Sequence, residues 1–177
     1  MMNKLFLLSL ALFLGMALSA QESKTDKILF KMPSVNVVDL NGKKINTSEL
    51  TNNGKPYIIS FWATWCKPCV KELTTISDVY QEWQEETGVK IIAVSIDDSR
   101  SSNQVKTLVN GKNWEYEVLL DPNSDFKRAM NVNAVPHTFI VNGKGEIVWQ
   151  HTSFSEGSEL ELISLIRKLN AGQPISE

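Results

Sequence analysis

The chain has 177 residues, 42% of them hydrophobic and 21% charged, with a formal net charge of −2. That is enough apolar material for one domain with a buried core. No cluster of Lys and Arg marks a nucleic-acid or membrane-surface binder.

At the N-terminus, Lys4 precedes the apolar run Leu5–Leu18, which gives way to Ser19, Ala20 and a polar stretch from Gln21. This is the layout of a secretory signal. The run is shorter than the roughly 20 apolar residues of a membrane-spanning helix, so residues 1–20 are expected to be cleaved, with an uncleaved anchor as the alternative. No cysteine lies nearby to carry a lipid. Residues 21–31 are expected to be a flexible mature N-terminus, 32–172 the folded domain and 173–177 a tail.

Strand and helix signals then alternate. Val35–Asn46 reads as a hairpin around Asn41-Gly42, a pair suited to a turn that needs positive φ. "TSEL" is a helical turn, and Tyr57–Trp62 ("YIISFW") is a continuous apolar run, as in a buried central strand. A single long helix is expected from Cys66 to Thr87, with Leu73, Ile76, Tyr80 and Trp83 on its apolar face and Gly88 as its stop. Val89–Asp97 is the next buried strand, and strand–helix–strand implies a parallel right-handed crossover. A short helix over Val105–Val109, a strand over Tyr116–Asp121 and a turn with a short helix over Pro122–Asn131 follow. His137–His151 gives two strands across Asn142-Gly143. In the last helix, Ser158 and Glu161 read as a capping box, and Leu160, Ile163, Ile166 and Leu169 as the apolar face. The sum is an α/β fold: a mixed sheet with helices on both faces and an N-terminal β-hairpin.

The two cysteines of the chain sit in "SFWATWCKPCVKE". A bond between them closes too small a loop to make a good staple. Structural zinc wants four ligands, and the chain adds only His137 and His151. A copper site of both thiolates and His137 is the metal geometry that remains. Cys66 falls where the strand has ended and the helix begins, and Pro68 suits a first helical turn. Unpaired N–H groups and the helix dipole stabilise a thiolate there. Cys66 is therefore expected to be an acidic, exposed nucleophile, and Cys69, one turn on, to be more buried.

"WCKPC" after an apolar strand, with "VPHTF" far downstream, resembles the thioredoxin superfamily. More narrowly, the hairpin, "SFWATWCKPCVKEL", "VSIDD" and "VPHTFIVNGKGEIV" are similar to the exported TlpA/ResA-like branch. The resemblance implies an exported, periplasmic thiol–disulfide oxidoreductase that needs no cofactor or metal. Its partners would be protein thiols and disulfides, with a membrane-embedded thiol electron donor. It would act as a reductase, in cytochrome c maturation or general disulfide reduction. Cys66 would attack and Cys69 resolve through a reversible Cys66–Cys69 disulfide. Pro136 after Val135 matches the cis-proline whose loop pairs with an extended substrate backbone. Glu72 matches an acidic residue that shuttles a proton for the thiols, and Trp65 belongs to an exposed docking rim. Trp62 is expected in the core.

Some positions depart from the pattern. Ser60 replaces the buried aspartate of thioredoxins proper. Thr74 stands where a helix-kinking proline is frequent, so a straighter helix is expected. His137, beside the proline, is expected to point to solvent. A copper metallochaperone on the same fold is the alternative function, although such proteins space their cysteines more widely. Peroxiredoxins carry Thr or Ser where this chain has Ala63.

Overall fold

The computed structural model describes residues 28–175, and the expected signal at 1–20 lies outside them. The strands are β1 (Phe30–Lys31), β2 (Asn36–Asp39), β3 (Lys44–Asn46), β4 (Tyr57–Trp62), β5 (Lys90–Ser95), β6 (Glu117–Leu120), β7 (His137–Val141) and β8 (Glu146–Thr152). The helices are α1 (Lys67–Ser77), α2 (Tyr80–Thr87), α3 (Ser102–Gly111), α4 (Asp125–Ala129) and α5 (Ser158–Asn170), with a 3-10 turn at Thr47–Glu49. One sheet holds the strands in the order β1-β8-β7-β4-β5-β6-β2-β3. β4, β5 and β6 run parallel, and β7 lies antiparallel to β4.

The connections from β4 to β5 and from β5 to β6 step the same way along the sheet. The right-handed crossover rule then places α1, α2 and α3 on one face. On that face Ile58, Trp62, Ile91 and Ile140 pack with Leu73, Ile76, Trp83, Val105 and, from α5, Ile163 and Ile166. The return from β6 to β7 carries α4 to the opposite face. There Tyr57, Ile59, Phe61, Ile92 and Phe139 meet Phe126 and Met130. Alternate residues of each strand serve the two cores, which is why no residue of β4 is exposed.

The expected single helix from Cys66 to Thr87 is broken. α1 ends at Ser77, and the chain re-enters a helix at Tyr80 after Val79 leaves helical geometry (φ −122°, ψ 2°). The break comes without a proline, so the straight helix expected from Thr74 is not found. Near the break the Tyr116 hydroxyl donates to the Leu73 carbonyl at 2.6 Å, the kind of side-chain insertion that accompanies helix kinks. The Tyr80 ring packs edge-on against Tyr116 just beyond it. Gly88 ends α2 in the left-handed region (φ 68°) as expected.

Both expected domain boundaries move outward. Leu29 N–H donates to the Ile147 carbonyl at 2.8 Å and Phe30 pairs with Ile147, so the ordered sheet already begins within 28–31. Ile175, expected in the tail, is 3% exposed and packs in the α1–α5 core. The capping box also fails. Gly157 is the cap of α5, Ser158 lies inside the helix, and the Glu159 carboxylate accepts from the Gly157 N–H at 3.0 Å. Leu162 and Leu165 join Ile163 and Ile166 in the buried face, while Leu160 faces solvent. The cap lies one residue earlier than the sequence suggests, because the left-handed glycine (φ 90°) turns the chain into the helix.

In the β7–β8 turn, Gly145 rather than Gly143 takes the positive φ (77°). Gly143 is needed for space: a Cβ there would stand 1.9 Å from the Gly54 carbonyl oxygen, a backbone atom that cannot rotate away. Gly143→Ala is therefore expected to destabilise the fold by about 1–3 kcal/mol, read from urea unfolding. Gly111→Ala, at an open position in α3, is expected to be neutral or to stabilise by up to about 1 kcal/mol.

Candidate active site

β4 ends at Trp62 and Ala63–Trp65 turn the chain into α1. A buried carboxylate holds that turn. Asp97, 2% exposed at the end of β5, accepts from Thr64 N–H at 2.9 Å, the Thr64 hydroxyl at 2.6 Å and the Ser95 hydroxyl at 2.8 Å. In the sequence Asp97 stands only within the matching motif "VSIDD". The available signal was an acidic residue at the carboxyl end of a parallel strand, where α/β folds build their sites.

Cys66 caps α1 with its sulfur, which accepts from the Cys69 N–H at 3.3 Å. Pro68 lies in the first turn, where its missing N–H costs nothing. Cys66 and Cys69 form a disulfide with their Cα atoms 5.3 Å apart. The Val135 carbonyl oxygen lies 3.7 Å from Cys66 Sγ, and the Val135–Pro136 peptide bond is cis. The structure thus brings Cys66, Cys69, Val135 and Pro136 together. Cys66 is not exposed in this disulfide state. It shows 5% of its surface, because Cys69 and the Val135 loop cover its sulfur, and Cys69 shows none. Trp65 next door is 66% exposed, whereas Trp62 is fully buried edge-on to Trp114.

Glu72 lies one turn beyond Cys69 on the same face of α1 and is 4% exposed. Its Oε1 accepts from the Thr138 hydroxyl at 3.0 Å, and Thr138 Oγ1 stands 3.4 Å from Ser60 Oγ. Its Oε2 is buried without a hydrogen-bond partner among the described residues. Burial raises the Glu72 pKa to about 7, opposed by the Thr138 hydrogen bond. Ser60, where thioredoxins proper carry an aspartate, thus stands behind Glu72 through Thr138. No local signal marks Thr138 in the sequence, because its meeting with α1 depends on the pairing of β7 with β4.

His137 does not point to solvent. It is 6% exposed, stacks on Phe139 with ring centroids 4.3 Å apart and meets Gln150 Oε1 through Nε2 at 3.2 Å. Desolvation lowers its pKa. Strand alternation sends His137 to the α4 side of the sheet and Thr138 to the α1 side. His137 therefore does not face Glu72.

Comparison with known proteins agrees with this geometry. Residues 28–150 match the AhpC/TSA family. The thiol-disulfide oxidoreductase ResA of Bacillus thuringiensis is 33% identical over 129 residues, 73% of this chain and 72% of that protein. ResA of Bacillus subtilis is 33% identical over 116 residues, 66% of this chain and 62% of its own. An uncharacterized thioredoxin-like protein from Porphyromonas gingivalis is similar in structure, with a TM-score of 0.72 and 54% identity over 79% of this chain and 92% of that one. A putative thiol:disulfide interchange protein DsbE from Chlorobium tepidum shares the fold, with a TM-score of 0.70 and 23% identity over 82% of this chain and 99% of that one.

The site therefore defines a thioredoxin-like redox enzyme, and the chain belongs to the AhpC/TSA family. Within it, the chain is a thiol–disulfide oxidoreductase of the ResA type.

The two buried carboxylates yield separate expectations. Asp97→Ala strips Thr64 and Ser95 of their acceptor and is expected to cost about 2–3 kcal/mol, measured by urea unfolding. Glu72 binds its proton more tightly folded (pKa about 7) than at the ordinary value of 4.5. Its stabilising contribution is complete below pH 4.5 and is lost as pH rises towards 7. Glu72→Gln should thus gain up to about 3 kcal/mol over wild type at pH 8 relative to pH 4, measured as the pH dependence of the unfolding midpoint.

Proposed function

We propose that the chain is an exported thiol–disulfide reductase that reduces disulfides of envelope proteins and is itself re-reduced by a membrane-embedded thiol donor. The observation that carries this reading is a buried carboxyl, with a pKa near 7, one helical turn past the buried member of the CxxC pair. A negative charge held there disfavours a second charge on the sulfurs. It therefore raises the energy of the ionised dithiol, which makes the dithiol a better electron donor. The resemblance to the ResA-like branch supports the exported location and the reducing direction. Cytochrome c maturation and general disulfide reduction are the two settings that fit.

In the reducing half-reaction, the reduced Cys66 sulfur is stabilised as a thiolate by the Cys69 N–H and the start of α1. It attacks one sulfur of the partner disulfide. A new S–S bond joins Cys66 to the partner, and the partner's other sulfur leaves with the electron pair. Glu72 then takes the Cys69 thiol proton as a general base. The Cys69 thiolate attacks Cys66, the Cys66–Cys69 bond forms, and the second partner sulfur leaves as a thiolate. The partner gains two electrons and the enzyme loses two. Val135, Pro136 and the exposed Trp65 supply the surface on which the partner's extended backbone lies. The copper alternative finds less support, since His137 is turned to the opposite face of the sheet and engaged with Gln150.

Cys69→Ala is expected to accumulate the mixed disulfide, because no second thiol remains to release the partner. Cys66→Ala should trap several-fold less, since Cys69 is fully buried. Non-reducing electrophoresis of acid-quenched envelope extracts, with identification of the attached proteins, reads both outcomes. Equal trapping by the two variants overturns the assigned roles. Stoichiometric bound copper without adducts supports the metallochaperone reading.

A further inference from the structure

Glu72 must give up the proton it takes from Cys69, and among the described residues the only hydrogen bond at its carboxyl is that from Thr138 to Oε1. Beyond Glu72, Thr138 meets only Ser60 among the described residues, itself 1% exposed at the centre of the sheet, so that direction is closed. The other oxygen, Oε2, is buried and unpartnered among the described residues. A narrow cavity of about 10 Å³ adjoins Glu72 between β8 and the first turn of α5. Trp149 and Leu162 are its apolar walls, and Ser158, His151 and Glu161 are its polar lining. His151 and Glu161 are exposed and Ser158 is half-buried, so this lining reaches solvent, whereas neither cysteine contributes to it. The His151 ring lies flat on Trp149, with centroids 5.8 Å apart. The volume suits a single water, which needs polar partners to stay. Among the lining residues, Glu72, Ser158 and His151 carry polar groups that could hold it.

We propose that one water molecule occupies this crevice, bound to Glu72 Oε2, and that it carries the Glu72 proton to and from solvent at the His151–Ser158 edge, a route separate from the cysteines. The inference rests on Glu72 acting as the base for Cys69. In the resolving step the Cys69 proton passes to Glu72 while the electron pair on Cys69 forms the new S–S bond. The proton then passes by way of the water to bulk solvent, and Glu72 is again a carboxylate. The ionisable groups around Glu72 are Cys69, one turn earlier on α1, Tyr116 just before β6, His151 on β8 and Glu161 on α5. Two of them, His151 and Glu161, stand at the mouth of the proposed route.

The test plugs the crevice without touching Glu72, Thr138 or the cysteines. Ser158→Leu fills it from the first turn of α5, and Ser158→Ala leaves it open. The Glu72 carboxyl is titrated by its carbon-13 shift in the oxidised protein, and release of a preformed Cys66–partner mixed disulfide is timed against pH. Closing the crevice displaces the proposed water from Oε2. Ser158→Leu is therefore expected to move the Glu72 midpoint up by about one unit and to slow release several-fold at pH 7. Ser158→Ala, which keeps the space open but removes one polar neighbour of the water, should shift both measurements less than Ser158→Leu does. Ser158→Val, a smaller plug, should shift both in the same direction if the leucine variant fails to fold. Wild-type midpoints and release rates in every plugged variant overturn the proposal. Glu72→Gln separates the two layers. If it leaves the pH profile of release unchanged, the base role itself fails. If it alters that profile while the plugged variants do not, only the water route fails.

Discussion

A central strand with no exposed side chain imposes most of this architecture. The six residues of β4 are all buried, so both faces of the sheet require cover. α1, α2, α3 and α5 supply one layer, and α4 with the N-terminal hairpin region supplies the other. The same constraint places the chemistry. A strand buried on both faces can open to solvent only at its ends, and Cys66 stands just beyond the carboxyl end of β4. The loop from Ala63 to Trp65 is short, so the start of α1 is tied closely to the strand, and Asp97 at the end of β5 fastens the join.

Two carboxyl groups of similar depth sit in different hydrogen-bond environments. Asp97 accepts from Thr64 twice and from Ser95 once. It is a well-satisfied acceptor whose task is to hold a turn. Glu72 accepts only from Thr138 and leaves one oxygen unpartnered among the described residues. Desolvation then outweighs the stabilisation of its charge, and its pKa rises to about 7. A group that exchanges a proton near neutral pH suits thiol chemistry, whereas a saturated acceptor suits scaffolding. Burial alone does not separate the two roles, but the count of donors around each carboxyl does.

Much of the fold was legible in short segments. The apolar run of β4, the Asn41-Gly42 turn and the stop at Gly88 are local signals, and each marked its element. The cysteines and Pro136 were legible through their motifs. What escaped the sequence depends on distant neighbours. The Tyr116 hydroxyl that reaches Leu73 comes from 43 residues away, and no pattern within α1 announces the break it accompanies. The cap of α5 was misplaced because Ser158 and Glu161 have the right spacing for a capping box, while a left-handed glycine one residue earlier starts the helix. His137 is expected to point to solvent beside the proline. It proves to be the first residue of β7 and stacks on Phe139 within the second core.

The sequence by itself determined the order of elements, the position of the thiol pair at a helix start and the residues able to carry redox chemistry. These follow from periodicity, turn residues and spacing, which act over a few positions along the chain. Only the tertiary structure decided that Cys66 is covered in the disulfide state, that Glu72 is desolvated while Trp65 is open, and that Thr138 rather than His137 meets Glu72. Exposure and hydrogen-bond partnership are set by groups tens of residues away in sequence. The Glu72–Thr138 contact spans 66 positions and exists only because β7 pairs with β4 in a register that turns Thr138 towards α1. Shifting that register by one residue would turn Thr138 to the α4 side and leave Glu72 without its donor.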